Sequence, residues 1–146
     1  MIAIFSFGMA FTIVGYFVGG WWWDKRIVRR YESGDLRGAI RSAALMTRFY
    51  PRHTRAWVRL SALHAEADEP AQALNHIERA IETNPRDVSL RFYKADALDM
   101  LGRTAEADAI REHLEQTRPD EVHQHKQSHA RAYQTPTPTD KQTITR

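Results

Sequence analysis

A 34-residue period constrains this sequence more than any other feature. Pro51, Pro85 and Pro119 stand 34 apart, as do Ala39, Ala73 and Ala107, and likewise Trp23 and Trp57. Gly34 and Gly102 are two periods apart, and Asp68 takes the place between them. One period, from Pro51 to Pro85, reads as two helices joined by a turn. Trp57, Leu60, Leu63 and Ala67 recur at three- and four-residue steps and share one helical face. Ala73, Ile77, Ala80 and Ile81 do the same for a second helix. Pro70 suits the start of that helix, where a missing N–H would have had no partner. A small residue such as Ala73 lets the two helices approach closely, Trp57 fills the space between them, and a proline ends the unit.

Period and residue types together resemble the tetratricopeptide repeat. In the middle copy Trp57, Leu60, Ala73, Ala80 and Pro85 stand where the family pattern has its Trp, Leu, two Ala and Pro. Ile77 replaces the usual aromatic, and Ser61 and His64 replace the usual Gly and Tyr. The resemblance covers residues 20–119 and implies an all-α solenoid of about three helix pairs, over 20–53, 54–87 and 88–119. In the first copy Trp23, Ile27, Val28 and Tyr31 fall in one helix. Ala39, Ile40, Ala43, Met46 and Phe49 form the buried face of its partner. The third copy buries Leu90, Ala95, Leu98, Leu101, Ala107, Ile110 and Leu114. Arg91, Lys94 and Arg111 stand there at usually apolar positions, as expected of a terminal copy whose outer face meets water.

Residues Met1 to Trp23 carry no charge. They predict an N-terminal transmembrane helix over 1–23, with Trp21, Trp22 and Trp23 at the membrane interface. Lys25, Arg26, Arg29 and Arg30 follow at once, which places the C-terminal side in the cytoplasm, in a single-pass inner-membrane protein, with the cations near anionic lipid headgroups. Gly15 and Gly19 form a GxxxG step suited to helix–helix association in the membrane. With no break after Gly20, the span is expected to run directly into the first repeat helix.

The net charge of +3 conceals an asymmetry: residues 24–60 hold ten basic and three acidic side chains, residues 61–121 seven and fourteen. The acidic half and the lack of interleaved aromatics argue against nucleic acid as a partner. Arginine supplies 17 of the 21 basic residues, a mild pointer to a GC-rich bacterial genome. There is no cysteine, hence no disulfide, thiolate metal site or cysteine nucleophile. No phosphate loop, nucleophile elbow or acid–base set is present, so the reading is a non-enzyme without cofactors. His123, His125 and His129 lack an accompanying carboxylate and are read as tail histidines, not a metal site. From 120 to 146 the chain is polar and threonine-rich and is expected to be disordered, although the stretch from Glu121 to Tyr133 also suits a polar helix.

The resemblance implies a binding scaffold whose first helices line a concave surface for a protein segment. Carried over position by position, the lining is Arg55, Val58, Arg59 and Ala62 from the second copy, and Phe92, Tyr93, Asp96 and Asp99 from the third. Arg55 and Arg59 resemble two members of the family's carboxylate clamp, but Asp24 and Val28 stand where the clamp has Lys and Asn. Adjacent Phe92 and Tyr93 cannot both face one core, so at least one is expected to be open to a partner. The expected role is an adaptor in the assembly or stabilisation of a membrane protein complex. A permanent accessory subunit, bound through the membrane helix, is the alternative.

Overall fold

The structure, a computed structural model, describes residues 22–134. Seven helices follow one another: α1 over residues 22–32, α2 (Leu36–Phe49), α3 (Thr54–Glu66), α4 (Pro70–Thr83), α5 (Val88–Met100), α6 (Thr104–Thr117) and α7 (Pro119–Gln134). α1/α2, α3/α4 and α5/α6 are hairpins, stacked so that each packs on the next, and α7 closes the end against α5 and α6. Pro70 occupies the first turn of α4, as its ring and missing N–H predict.

The period has a backbone cause. Gly34, Asp68 and Gly102 occupy the turn inside each hairpin with φ of 79°, 57° and 73°. Only glycine takes this left-handed conformation without steric cost, and aspartate is among the residues that tolerate it. A Cβ added at Gly102 would meet nothing within 4 Å. The cost of Gly102→Ala is therefore conformational alone. It is expected to lower the unfolding free energy by about 1–2 kcal/mol, read from denaturant melts.

A second periodic device joins the hairpins. Trp57 Nε1 donates to the Pro51 carbonyl at 2.8 Å, and one period on Arg91 Nη2 donates to the Pro85 carbonyl at 2.8 Å. Arginine at an aromatic position thus keeps the hydrogen bond while losing the ring. Ser61, at a usual glycine position, donates its hydroxyl to the Ala73 carbonyl at 2.8 Å and ties α3 to α4. Close approach also explains Gly38. Asp35 caps α2 by accepting from Gly38 N at 2.8 Å and receives Arg30 Nη1 at 2.6 Å, in space a Cβ at 38 would fill. The Gly38 hydrogen bond, more than Arg30, holds the Asp35 carboxyl below its usual pKa.

Buried side chains form three clusters along the stack. Ile27, Ala39, Ala43, Met46 and Leu60 fill the first hairpin junction; Leu74, Ile77, Ala80, Leu90, Leu98 and Ala107 fill the second. Val88, Phe92, Leu114 and Val122 fill the junction with α7.

Several expectations are corrected here. Among the described residues no helix is long and apolar enough to cross a membrane. The fold described is the helical solenoid, with no transmembrane helix among the described residues, and the single-pass, inner-membrane localisation with a cytoplasmic domain is likewise left without support. α1 is short and charged, and its Trp23 packs against the hairpin core and stacks on Phe49 with ring centroids 6.4 Å apart. Arg26 lies over the Trp22 ring at 5.4 Å, a cation–π contact within the protein. Met1 to Trp21, with Gly15 and Gly19, lie outside the described residues. Phe49, expected in the core, is 65% exposed: it ends α2 and stacks on Trp23 at the edge of the hairpin core. The segment from 120 does not begin as a disordered tail. α7 stands where a fourth copy would begin, and Val122, one period after Val88, is 4% exposed. Residues 135–146 lie outside the described residues.

Candidate functional site

The first helix of each hairpin faces a common groove. Between α1 and α3 lies a cavity of about 360 Å³, whose lining includes Ile27, Val28, Tyr31, Arg55, Val58 and Arg59. Between α3 and α5 lies a second of about 310 Å³, whose lining includes Ala65, Ala73, Ile77, Tyr93, Asp96 and Met100. Val58 and Ala62 belong to both, so the two cavities meet over α3 as one trough. The trough is apolar in the middle because α3 presents small residues there, Ala62 and Ala65. Its exposed rim carries Tyr31, Val28 and Met100.

Of the residues predicted to bind a partner, the structure brings Arg55, Val58 and Arg59 to the first cavity, and Val58, Tyr93 and Asp96 to the second. Arg59 Nε lies 3.3 Å from Asp24 Oδ1. This is a charge contact without hydrogen-bond alignment, and neither atom has a hydrogen-bond partner. The acidic residue at a clamp position therefore engages one of the two arginines and leaves Arg55 exposed at the trough's edge. Glu66 is the acidic residue lining the same cavity.

Phe92 is placed elsewhere. It is 8% exposed and stacks face to face on His125 of α7, with centroids 4.3 Å apart and planes within 6°. Tyr93 meets the same imidazole edge-on and lines the trough with its other side. Partial burial, with Asp87 and Asp96 secondary, raises the Tyr93 pKa above its usual value. Adjacent positions on α5 thus part as the sequence required, one under α7 and one toward the trough.

Asp99 does not stand free either. Arg111 of α6 reaches Asp99 Oδ2 at 2.5 Å and Asp96 Oδ1 at 3.1 Å. Those carboxylates, Asp99 first, raise the pKa of the arginine. The period shows what has happened. Ala62, Ala65 and Ile77 in the second hairpin become Asp96, Asp99 and Arg111 in the third, so an apolar triad gives way to an ionic one. The sequence presents the aspartates as lining residues and Arg111 as a charge at a usually apolar position; only a shift of all three by one period exposes the exchange.

The structure adds Tyr31 and Met100 to the site, and the signal for both was a large apolar residue one turn along a first helix. Among the described residues no group of three or more His, Cys, Asp or Glu is placed to hold a metal ion. His123 Nε2 lies 2.8 Å from Gln127 on α7.

Stacked helix hairpins of near-equal length around a concave trough define an α-solenoid. Residues 54–97 match the family model described as tetratricopeptide repeat. That stretch, from α3 into α5, is thus similar to the tetratricopeptide repeat. No sequence relative matches among curated proteins. Solved structures share the fold. The TPR2B domain of yeast Sti1, in complex with pHsp70, is 20% identical with a TM-score of 0.58, over 78% of this chain and 95% of that one. The first such domain of Spaghetti (RPAP3), bound to the HSP90 peptide SRMEEVD, is 15% identical with a TM-score of 0.59, over 75% and 90%. A mutant O-GlcNAc transferase of Thermobaculum terrenum is 22% identical with a TM-score of 0.54, over 66% of this chain but 18% of that one.

Proposed function

We propose that this chain is a non-catalytic scaffold that holds a segment of a protein partner in the trough over α1, α3 and α5. The observation that carries the reading is the meeting of two apolar cavities at Val58 and Ala62, with Arg55 exposed beside them. Such a surface accepts apolar side chains from the partner and a carboxylate at the arginine, a charge-assisted contact. Two of the structural neighbours are described in complex with pHsp70 or bound to an HSP90 peptide, which supports the same mode of use. Adaptor work in assembling or stabilising a larger protein complex is the role such a trough suits. Tyr93 and Asp96 belong to the proposed contact surface. Phe92, which lies under α7, and Asp99, which lines neither cavity, do not.

Ala62→Arg tests the reading. Ala62 is exposed and belongs to both cavities, so the long side chain obstructs the trough and leaves the core alone. The probe is a random peptide library displayed against the full chain. Peptides enriched by the wild type are expected to bind the variant at least about tenfold more weakly, equivalent to about 1.4 kcal/mol, with the melting temperature unchanged. Enriched peptides that bind both proteins equally would place their site elsewhere, and a failure to enrich any peptide would also count against the trough.

A further inference from the structure

Behind the trough, α3 and α4 enclose two imidazoles that partner binding does not use. His64 is 6% exposed, and its ring centroid lies 5.0 Å from that of His76. His76 stacks on Trp57 with centroids 6.0 Å apart. His64 Nδ1 meets Glu69 Oε2 at 2.6 Å, and Arg37 of α2 donates to Glu69 Oε1 at 2.6 Å. The charged groups on the pair are thus Glu69 of the α3–α4 turn and, through it, Arg37 of α2. α3 supplies His64 and the Trp57 ring, and α4 supplies His76. The Nδ1 atom of His76 is buried without a hydrogen-bond partner.

We propose that His64 and His76 form an acid-sensitive latch: the site holds a carboxylate for His64 but none for His76, and a proton added to His76 drives its ring off Trp57 and loosens the α3–α4 hairpin. The geometry sets the asymmetry. One carboxylate serves the pair, it lies on His64, and Arg37 already takes its other oxygen. A charge on His76 would have no counterion while facing the imidazole of His64 from a partly desolvated seat. Burial first, and His64 second, hold the His76 pKa below its usual 6.5. The unfolded chain lacks this restraint and binds the extra proton at higher pH. The contribution to stability is accordingly full above pH 6.5 and is lost as pH falls through the lower folded value. Glu69 stays ionised in this window, since the His64 hydrogen bond and then the Arg37 hydrogen bond hold its pKa below the usual value. The latch belongs to the hairpin and stands whether or not the trough binds a peptide.

Two measurements on the full chain test it. Imidazole Cε1–H signals followed by NMR are expected to give His76 a midpoint below 6.5. Thermal melts between about pH 7.5 and about pH 5, the range in which histidine titrates, are expected to show a steeper fall for the wild type than for His76→Gln. A His76 midpoint at or above 6.5, or superimposable melting profiles, would overturn the proposal. Should His76→Gln fail to fold, His76→Phe keeps a ring against Trp57 without the titrating group, and the wild-type NMR titration decides independently.

Discussion

Truncating Ile77 to alanine is expected to lower the unfolding free energy by about 2–5 kcal/mol, the range for removing a buried branched side chain from a packed site. Ile77 is 0% exposed and belongs to the cluster that joins the second and third hairpins. Its side chain also forms part of the floor of the α3–α5 cavity, so the lost methylenes enlarge an existing space that neighbouring helices cannot close by collapse. Small domains have about 5–15 kcal/mol in total, so one such change takes a large share. Urea melts with unchanged slope and a lowered midpoint are the expected record. A loss under about 1 kcal/mol would mean that α3 and α4 reseat around the gap, outside the usual behaviour of such sites.

Enlarging Ala107 to leucine is expected to cost about 1–3 kcal/mol through overpacking. Ala107 is 0% exposed within the cluster of Leu90, Leu98 and Ala97. The same change one period earlier is expected to cost less. Ala73 borders the 310 Å³ cavity, which has room for the added atoms. Equal losses for Ala107→Leu and Ala73→Leu, in parallel thermal melts, would show that the cavity closes in solution.

These two positions show how far the sequence could be read. Recurrence of Ala39, Ala73 and Ala107 located the helix contacts, and all three are buried to 1% or less. Gly34, Asp68 and Gly102 located the turns through a shared backbone need. What stayed hidden depends on contacts outside the period. Phe92 looked available to a partner because His125, which covers it, lies on a polar stretch without an apolar repeat pattern. Phe49 looked buried because its helical face is right, but it stands at the end of α2, where it stacks on Trp23 of α1 and keeps most of its surface open. The uncharged residues Met1 to Trp23 suggested a spanning helix, whereas the described helices include none long and apolar enough to cross a membrane. Arg55, Val58 and Arg59 did come together as the helical spacing on α3 required.

The donation from position 57 to the carbonyl at 51, repeated from 91 to 85, makes each hairpin carry its own connector to the one before. Chain length is then quantised. Duplicating residues 54–87 in place would supply a complete coupling at both new junctions, and the trough would lengthen by one hairpin without redesign. Removing or adding a few residues between hairpins would instead break a coupling and gain nothing. A chain built this way changes its reach by whole units, and its binding surface grows by copying, not by loop extension.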